Sequence, residues 1–320
     1  GSFSLFSRWS NRLKHMEELR KIVQGTLLEN EPMSNHTSYG IGGPAGAYIT
    51  PKDRFDLAEI LKFANKYSIE THFVGSGSNL LVADSGIDGI VLTPAKALTQ
   101  LEFNDGLVIA ESGVMLGRLV KECNKRNLTG VESMIGVPGT LGGALVMNAG
   151  AFGGEISNYL HSVEIMNMSG EIKTYYPGDI DFAYRFSTLR TDEFVLLARF
   201  DLKEEDSIII QEKRNKASKG RKTNQPLKFR SAGSVFKNPK ENAAGYLIDQ
   251  AGLKGTRVGN AEISKHHANF FVNHGQAKSS DITALIRLAR KTVFEKFGIK
   301  LELEVKTIGF DPQELETDDA

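Results

Sequence analysis

Two glycine-rich segments constrain this chain more than any other feature. The first is Val74-Gly75-Ser76-Gly77-Ser78-Asn79-Leu80-Leu81, entered from His72-Phe73-Val74, which reads as a short buried strand. Glycines there let successive N–H groups converge on an anion, and Ser76, Ser78 and Asn79 add donors. No Gly-Lys-Ser/Thr follows, so it is not a Walker loop, and the third glycine of a Rossmann fingerprint would fall at Leu80. On spacing alone a tight turn fits equally well. The second segment is Ile135-Gly136-Val137-Pro138-Gly139-Thr140-Leu141-Gly142-Gly143-Ala144, continuing to Asn148-Ala149-Gly150. Pro138 restricts the chain before a helix-like stretch, while Gly139, Gly142 and Gly143 leave one face without bulk. A pyrophosphate or flat ring could approach the helix N-terminal amides there. A small-residue contact between helix and sheet is the plain alternative. Two such loops in one chain favour a large dinucleotide ligand.

The bulk numbers exclude several classes. At 320 residues the chain holds two or three units of roughly 100–200 residues each. Lys+Arg and Asp+Glu are both 39, so no overall positive field exists to bind nucleic acid. No apolar run approaches the roughly 20 residues that span a bilayer, and a cytoplasmic protein without membrane attachment is expected. The one cysteine, Cys123, rules out an internal disulfide. Gly1-Ser2 reads as an expression scar. Phe3 to His15 carries Arg8, Arg12 and Lys14 without an acid, faintly like a transit peptide, although a linker or frayed helix start is preferred.

Strand-like and helix-like segments alternate from about residue 45. Asp53 to Ser68 sets Leu57, Ile60, Leu61 and Ala64 on one helical stripe, and a second helix near Leu116 to Asn127 buries Leu116, Leu119, Val120 and Cys123. Val163-Glu164-Ile165 and Ile172 to Tyr176 form a strand pair around Ser169-Gly170, and Phe194 to Leu202 is a further strand. A polar, basic helix runs from Asp206 to Lys219, with a break at Gly220 and Pro226 taken as a domain boundary. Ser280 to Phe297 is a helix capped by Gly298. Leu301 to Lys306 alternates like a half-buried strand, and the acidic tail after Phe310 is expected to be disordered.

The ordered set of motifs is more specific than any one of them. The two glycine loops, with Asn148-Ala149-Gly150-Ala151 and the upstream Asn35-His36-Thr37-Ser38-Tyr39-Gly40-Ile41-Gly42-Gly43-Pro44, resemble the FAD-binding segments of the UDP-N-acetylenolpyruvoylglucosamine reductases, the MurB family. Phe182-Ala183-Tyr184-Arg185, the stretch from Ser231-Ala232-Gly233-Ser234 to Phe236-Lys237-Asn238-Pro239, Ala244 to Gln250, and Leu301-Glu302-Leu303-Glu304-Val305 extend the likeness over about residues 35 to 310. The resemblance implies an α+β protein: a two-part FAD-binding domain of the vanillyl-alcohol-oxidase (PCMH) type plus a C-terminal α+β substrate-binding domain. It divides the chain into an N-terminal leader and helix at 1–34, an FAD-binding domain at 35–222 (subdomains about 35–94 and 95–222), a substrate-binding domain at 223–303, and a return strand with acidic tail at 304–320. It further implies NADPH as reductant, UDP-N-acetylglucosamine enolpyruvate as the small-molecule substrate, and a monomer.

The same resemblance assigns roles. Arg185 meets the substrate carboxylate, Ser234 protonates the carbon left after hydride addition, and Glu304 joins them if it is protonated or shares a proton, since an ionised carboxylate would oppose the developing charge. Val74, Gly75, Ser76, Gly77, Ser78, Asn79, Leu80, Gly136, Val137, Pro138, Gly139, Gly142, Gly143, Ala144, Asn148, Ala149 and Gly150 would hold FAD, while Tyr184, Lys237, Asn238 and Lys254 would contact substrate. Without it, Arg185 reads as a surface ion pair, Ser234 as a turn hydroxyl, and Glu304 as solvated beside Glu302 on one strand face. The basic residues Lys213, Arg214, Lys216, Lys219, Arg221 and Lys222 read as a solvated helix face, some of whose C-terminal members could steer the doubly phosphorylated ligands. His266-His267 is no metal site, because neighbours on a strand point apart and no third ligand is at hand. The short stretch between Arg185 and Ser234 places the chain in the subclass lacking the insert with a substrate-covering tyrosine. Another FAD oxidoreductase of the same fold, acting on an alcohol or lactone, is the rival reading.

Overall fold

A computed structural model describes residues 14–317, so the leader expectations for 1–13 and the last three residues lie outside the described residues. Helix α1 (14–22) buries Leu19 against α2 (Arg54–Lys66). The predicted stripe forms: Leu57, Ile60, Leu61 and Ala64 are all buried, and Asp53 caps the helix by accepting from the Asp56 N–H at 2.9 Å. The buried Asp56 carboxylate accepts from the backbone N–H groups of Gln24, Gly25 and Lys52 at 3.0, 2.9 and 2.8 Å. Those bonds compensate its desolvation and tie the entering chain to α2.

The first sheet has the order Thr26–Pro32, Pro44–Thr50, Ile87–Leu92, Thr71–Phe73. Its first pair is antiparallel and the other two are parallel. The first glycine loop leaves the carboxyl end of Thr71–Phe73, where an open sheet of parallel strands offers a crevice. It then enters Leu80–Val82, which pairs in parallel with Lys306–Ile308 from the end of the chain.

A second, five-stranded antiparallel sheet runs Ile172–Tyr175, Leu160–Met166, Phe194–Asp201, Leu107–Glu111, Leu101–Asn104. Its predicted strand pair turns at Gly170 (φ 78°). Helix α3 (Leu116–Lys125) packs on this core through Leu116, Leu119, Val120 and Cys123, and the short α4 (Leu141–Val146) follows the second glycine loop. A third core gathers α6 (Ala244–Gln250), α7 (Ser279–Phe297) and the antiparallel strands Arg257–Val258, Ala261–Ile263 and Phe271–Asn273. Tyr39 and Ile41 are buried within it, so the N-terminal signature reaches into the C-terminal core.

Four expectations need correction. Helix α5 (Ser207–Asn224) passes straight through Gly220. A Cβ there would lie 2.4 Å from Phe152 Cε1, so the bare backbone admits that ring at the usual helical penalty of about 1 kcal/mol. The helix stops instead at Gln225 (φ −116°, ψ 142°), as the residue before Pro226 requires. Residues 301–305 form no regular strand beyond a single bridge from Leu303 to Phe236, and the ladder begins at Lys306. Glu302 and Glu304 therefore part company, their side chains 76% and 11% exposed. The described part of the acidic tail docks: Leu315 is buried and its carbonyl accepts from Arg290 Nη1 at 2.7 Å. His266 and His267 lie in a turn rather than a strand.

Candidate active site

The two glycine loops meet face to face. A Cβ on Gly75 would lie 2.2 Å from Thr140 Oγ1, and one on Gly139 (φ +118°) would lie 3.1 Å from Ser78 Oγ. The Asn35-to-Pro44 signature closes over the first loop, with the Ser38 N–H donating to Gly77 O at 3.0 Å. Around this junction Ser76 Oγ, Ser112 Oγ and Asn148 Oδ1 are buried without a partner. Each such atom costs about 1–3 kcal/mol unless a ligand completes it. Close backbone approach, hydroxyl donors and unmet polar atoms together fit FAD, which Gly75 to Asn79 and Gly136 to Gly143 would hold.

Arg185 stands on strained ground. Phe182–Ala183 pairs with Phe186–Ser187, which leaves Tyr184 and Arg185 as a two-residue hairpin turn with Arg185 at φ 50°. Hairpin turns of this length call for positive φ, and a non-glycine residue there carries roughly 1–3 kcal/mol of strain. The surroundings hold it in place: Nη2 donates to Gly150 O at 2.7 Å, and Nε lies 3.1 Å from Glu304 Oε1. Asn148 ties the same hairpin to α4 by donating from Nδ2 to Ala183 O at 2.9 Å.

Glu304 sits where three segments cross. Its N–H donates to Val235 O at 2.9 Å, its carbonyl accepts from Asn79 Nδ2 at 3.2 Å, and the Lys306 N–H donates to Asn79 O at 3.0 Å. The first glycine loop, the Ser234 segment and the returning chain are thereby pinned together. Burial raises the Glu304 pKa above its ordinary 4.5, outweighing the opposing pull of Arg185 and Lys237. Ser234, next to Val235, is half-buried and follows Gly233 (φ +73°), around whose missing Cβ the space is open.

Ser234, Asn238 and Lys254 line one cleft of about 260 Å³ together with Tyr246, Asp249 and His267. Lys254 pairs with Asp249 at 3.4 Å, and Asn238 Oδ1 accepts from the Ala244 N–H at 3.0 Å, holding the start of α6. Lys237 turns aside to Glu302 at 3.4 Å. Tyr184 stands at the rim, its hydroxyl accepting from the Asn238 N–H at 3.3 Å. The structure thus brings Arg185 and Glu304 into contact, with Ser234 one residue from the carbonyl that holds Glu304.

Three residues near this region lie outside the predicted site residues. Lys306 is exposed, yet desolvation by the protein around it lowers its pKa. His267 has a pKa lowered by burial and by Lys254, and its Nδ1 accepts from the Asn269 N–H at 3.2 Å. That bond leaves the proton on Nε2. Arg221 leans on the second glycine loop, its Cδ 3.0 Å from the position of a Gly136 Cβ, and burial lowers its pKa. The sequence sets Arg221 among the C-terminal cations of its stretch, which could steer phosphorylated ligands, but does not single it out. Lys213 of that stretch reaches Glu132 at 3.6 Å. Among the described residues no three His, Cys, Asp or Glu side chains gather as a metal site.

Comparison with known proteins adds independent findings. The family model described as UDP-N-acetylenolpyruvoylglucosamine reductase, C-terminal domain, matches residues 225–308, and that of an FAD binding domain matches residues 45–175. UDP-N-acetylenolpyruvoylglucosamine reductase 2 of Bacillus cereus is 39% identical over 293 residues, 91% of this chain and 96% of its own length. The reductase of Shouchella clausii is 40% identical over 294 residues, 92% of this chain and 94% of its own. The crystal structure of the enzyme from Thermus caldophilus aligns with a TM-score of 0.76 and 34% identity, covering 89% of this chain and 98% of that one. The fold is accordingly α+β, with a PCMH-type FAD-binding domain.

Proposed function

Since the chain belongs to the UDP-N-acetylenolpyruvoylglucosamine reductase family, we propose that it reduces UDP-N-acetylglucosamine enolpyruvate to UDP-N-acetylmuramate for peptidoglycan synthesis, using FAD and NADPH. FAD, when bound, supplies the two-electron chemistry, taking hydride from NADPH and delivering it to the vinyl CH2 carbon of the substrate. The protein's part is to hold the substrate and to manage the charge and the proton that follow.

Hydride addition leaves negative charge on the carbon next to the carboxylate and in the carboxylate itself. Arg185, permanently cationic and held in a strained turn, faces that charge without having to reorganise. Glu304 lies against Arg185, and burial, by raising its pKa, favours the neutral form that can donate to that charge. Ser234 gives its hydroxyl proton to the carbon, and an enolate is basic enough to take a proton from so weak an acid. The observation that carries this reading is the Arg185–Glu304 contact of 3.1 Å beside the backbone that positions Ser234.

NADPH leaves before the enolpyruvyl sugar enters the same pocket. Gly75 to Asn79 and Gly136 to Gly143 hold FAD, while Asn238 and Lys254 face the UDP-sugar. Residues 35–222 form the FAD-binding domain and 223–303 the substrate-binding domain, with the chain returning at 304. Arg185, Ser234 and Glu304 all belong to one chain, so a monomer would carry a complete site. The enzyme works in the cytoplasm, where NADPH and UDP-sugars are; among the described residues no helix is long and apolar enough to cross a membrane. The test is direct. NADPH should bleach the yellow of the purified protein without oxygen, and the enolpyruvyl sugar should restore it with UDP-N-acetylmuramate appearing by mass spectrometry. Restored colour without that product would sink the assignment.

A further inference from the structure

The serine that gives up the last proton stands on a stretch held by two different means. Gly233, at φ +73°, leads into it, and two residues later Phe236 forms an antiparallel bridge with Leu303. That bridge is flanked by ordinary backbone bonds: the Glu304 N–H donates to Val235 O and the Lys237 N–H donates to Glu302 O, each at 2.9 Å. The N–H and C=O of Phe236 itself take no part in it. One side chain meets both. The Phe236 N–H donates to Asn269 Oδ1 at 3.0 Å, and Asn269 Nδ2 donates to Phe236 O at 2.8 Å. The Asn269 carbonyl accepts as well, from the Val235 N–H at 2.9 Å.

Asn269 is 3% exposed and lines the same cleft as Ser234. Its amide reproduces the exchange of N–H and C=O by which facing residues of antiparallel strands pair. Leucine here would offer neither donor nor acceptor, and an ionised aspartate would only accept. The core around Phe236 is otherwise apolar, so both bonds are made where a missing partner is costly and a slide of the stretch would break them together. The Asn269 N–H donates to His267 Nδ1, which joins the turn carrying the imidazole to the stretch carrying the serine. Such restraint matters for a hydroxyl that must meet one carbon atom. A displacement of about 1 Å can cost roughly a hundredfold in rate, and a left-handed glycine just before the serine adds freedom rather than removing it.

We infer that Asn269 is a positioning residue for proton delivery: its amide grips the Phe236 backbone and so sets the Ser234 hydroxyl at the carbon that hydride addition leaves negative. This rests on the functional reading above. Asn269 gives and takes no proton itself. It acts only through the place it gives to Ser234.

The test uses the FAD-loaded protein with NADPH and the enolpyruvyl sugar, followed without oxygen by flavin absorbance. Asn269→Ala should be bleached by NADPH at close to the parental rate, yet recover about ten- to hundredfold more slowly on mixing with the sugar. Its recovery should show a larger solvent deuterium isotope effect than the parent's, because proton delivery has become the slower step. Asn273→Ala is the control for general loosening. Asn273 is 4% exposed, donates to Tyr39 O at 2.8 Å and accepts from the Gly275 N–H at 2.8 Å. Its loss should destabilise the fold to a similar extent, while recovery stays within about threefold of the parent. Asn269→Asp regains both partners only when its carboxyl is protonated, so its deficit should shrink as pH is lowered from about 8 to about 6. That variant decides the matter if Asn269→Ala does not fold. Parental recovery in Asn269→Ala, equal slowing in Asn273→Ala, or an Asn269→Asp deficit indifferent to pH would overturn the assignment and leave the reductase reading intact. A parent protein that NADPH bleaches and the enolpyruvyl sugar never restores would count against that reading before any variant is compared, and the role of Asn269 would fall with it.

Discussion

Replacing Gly75 by alanine probes the junction of the two glycine loops with the smallest possible change. The added Cβ would sit 2.2 Å from Thr140 Oγ1, and no rotation of an alanine can relieve that overlap. Thr140, only 1% exposed, has to move. Its hydroxyl is the N-cap of α4, accepting from the Gly143 N–H, and loss of such a cap costs about 1 kcal/mol. Forcing a methyl into a closed contact adds roughly 1–3 kcal/mol. Gly75→Ala should therefore destabilise the protein by about 2–4 kcal/mol and weaken FAD binding, since the displaced segment is the cradle itself. Thr140→Ala alone should cost about 1–2 kcal/mol through the lost cap and methyl. The double variant should cost little more than Thr140→Ala, because the clash has gone. Urea unfolding of all four proteins, with FAD affinity from flavin fluorescence, gives the cycle. A coupling approaching the whole Gly75→Ala cost, about 2–4 kcal/mol, is expected. Strictly additive costs would mean that the loops do not touch as described, and the cradle argument would fail.

Three further outcomes follow from the site. Arg185→Lys keeps a charge but loses the forked geometry that reaches Gly150 O and Glu304 together, so kcat for the enolpyruvyl sugar should fall by about a hundredfold or more while FAD remains bound; steady-state kinetics would expose an unaffected kcat. Glu304 has a folded pKa above its unfolded 4.5, so its favourable contribution is complete below 4.5 and is lost as pH rises through the folded value. Glu304→Gln should thus gain stability relative to the parent as urea unfolding is moved from pH 4.5 to pH 8, and a gain that shrinks instead would reverse the assigned direction. Asp56→Ala leaves three backbone N–H groups without their acceptor and should lower stability by about 3 kcal/mol or more in thermal or urea unfolding, with kinetics of the folded enzyme unchanged.

What the sequence could and could not say follows from the range of the interactions involved. The α2 and α3 stripes and the Gly298 cap are local patterns, fixed by residues within one or two turns, and they read directly. Gly220 looked like a helix break because its compensation, the ring of Phe152, comes from a distant hairpin. Residues 301–305 alternate like a strand, but a strand needs a partner along its whole length, and the only pairing there is the bridge at Leu303. Glu302 and Glu304 consequently diverge, one to solvent and one to Arg185, which no alternation rule distinguishes. The tail was misjudged from its acidity, since Leu315 and two arginines of α7 hold it down. At the site, the motif residues were legible through family resemblance, and their mutual geometry was not. Arg221, His267 and Lys306 gain their character from neighbours far along the chain.

The central claim is that Arg185, Ser234 and Glu304 act on one substrate, with the serine hydroxyl supplying the last proton. Anaerobic stopped-flow mixing of NADPH-reduced Ser234→Ala with the enolpyruvyl sugar, beside the parent, tests it most directly. The parent should recover its yellow absorbance rapidly. The variant should still be bleached by NADPH at close to the parental rate, yet recover at least about a hundredfold more slowly. Equal recovery in the two proteins would contradict the account.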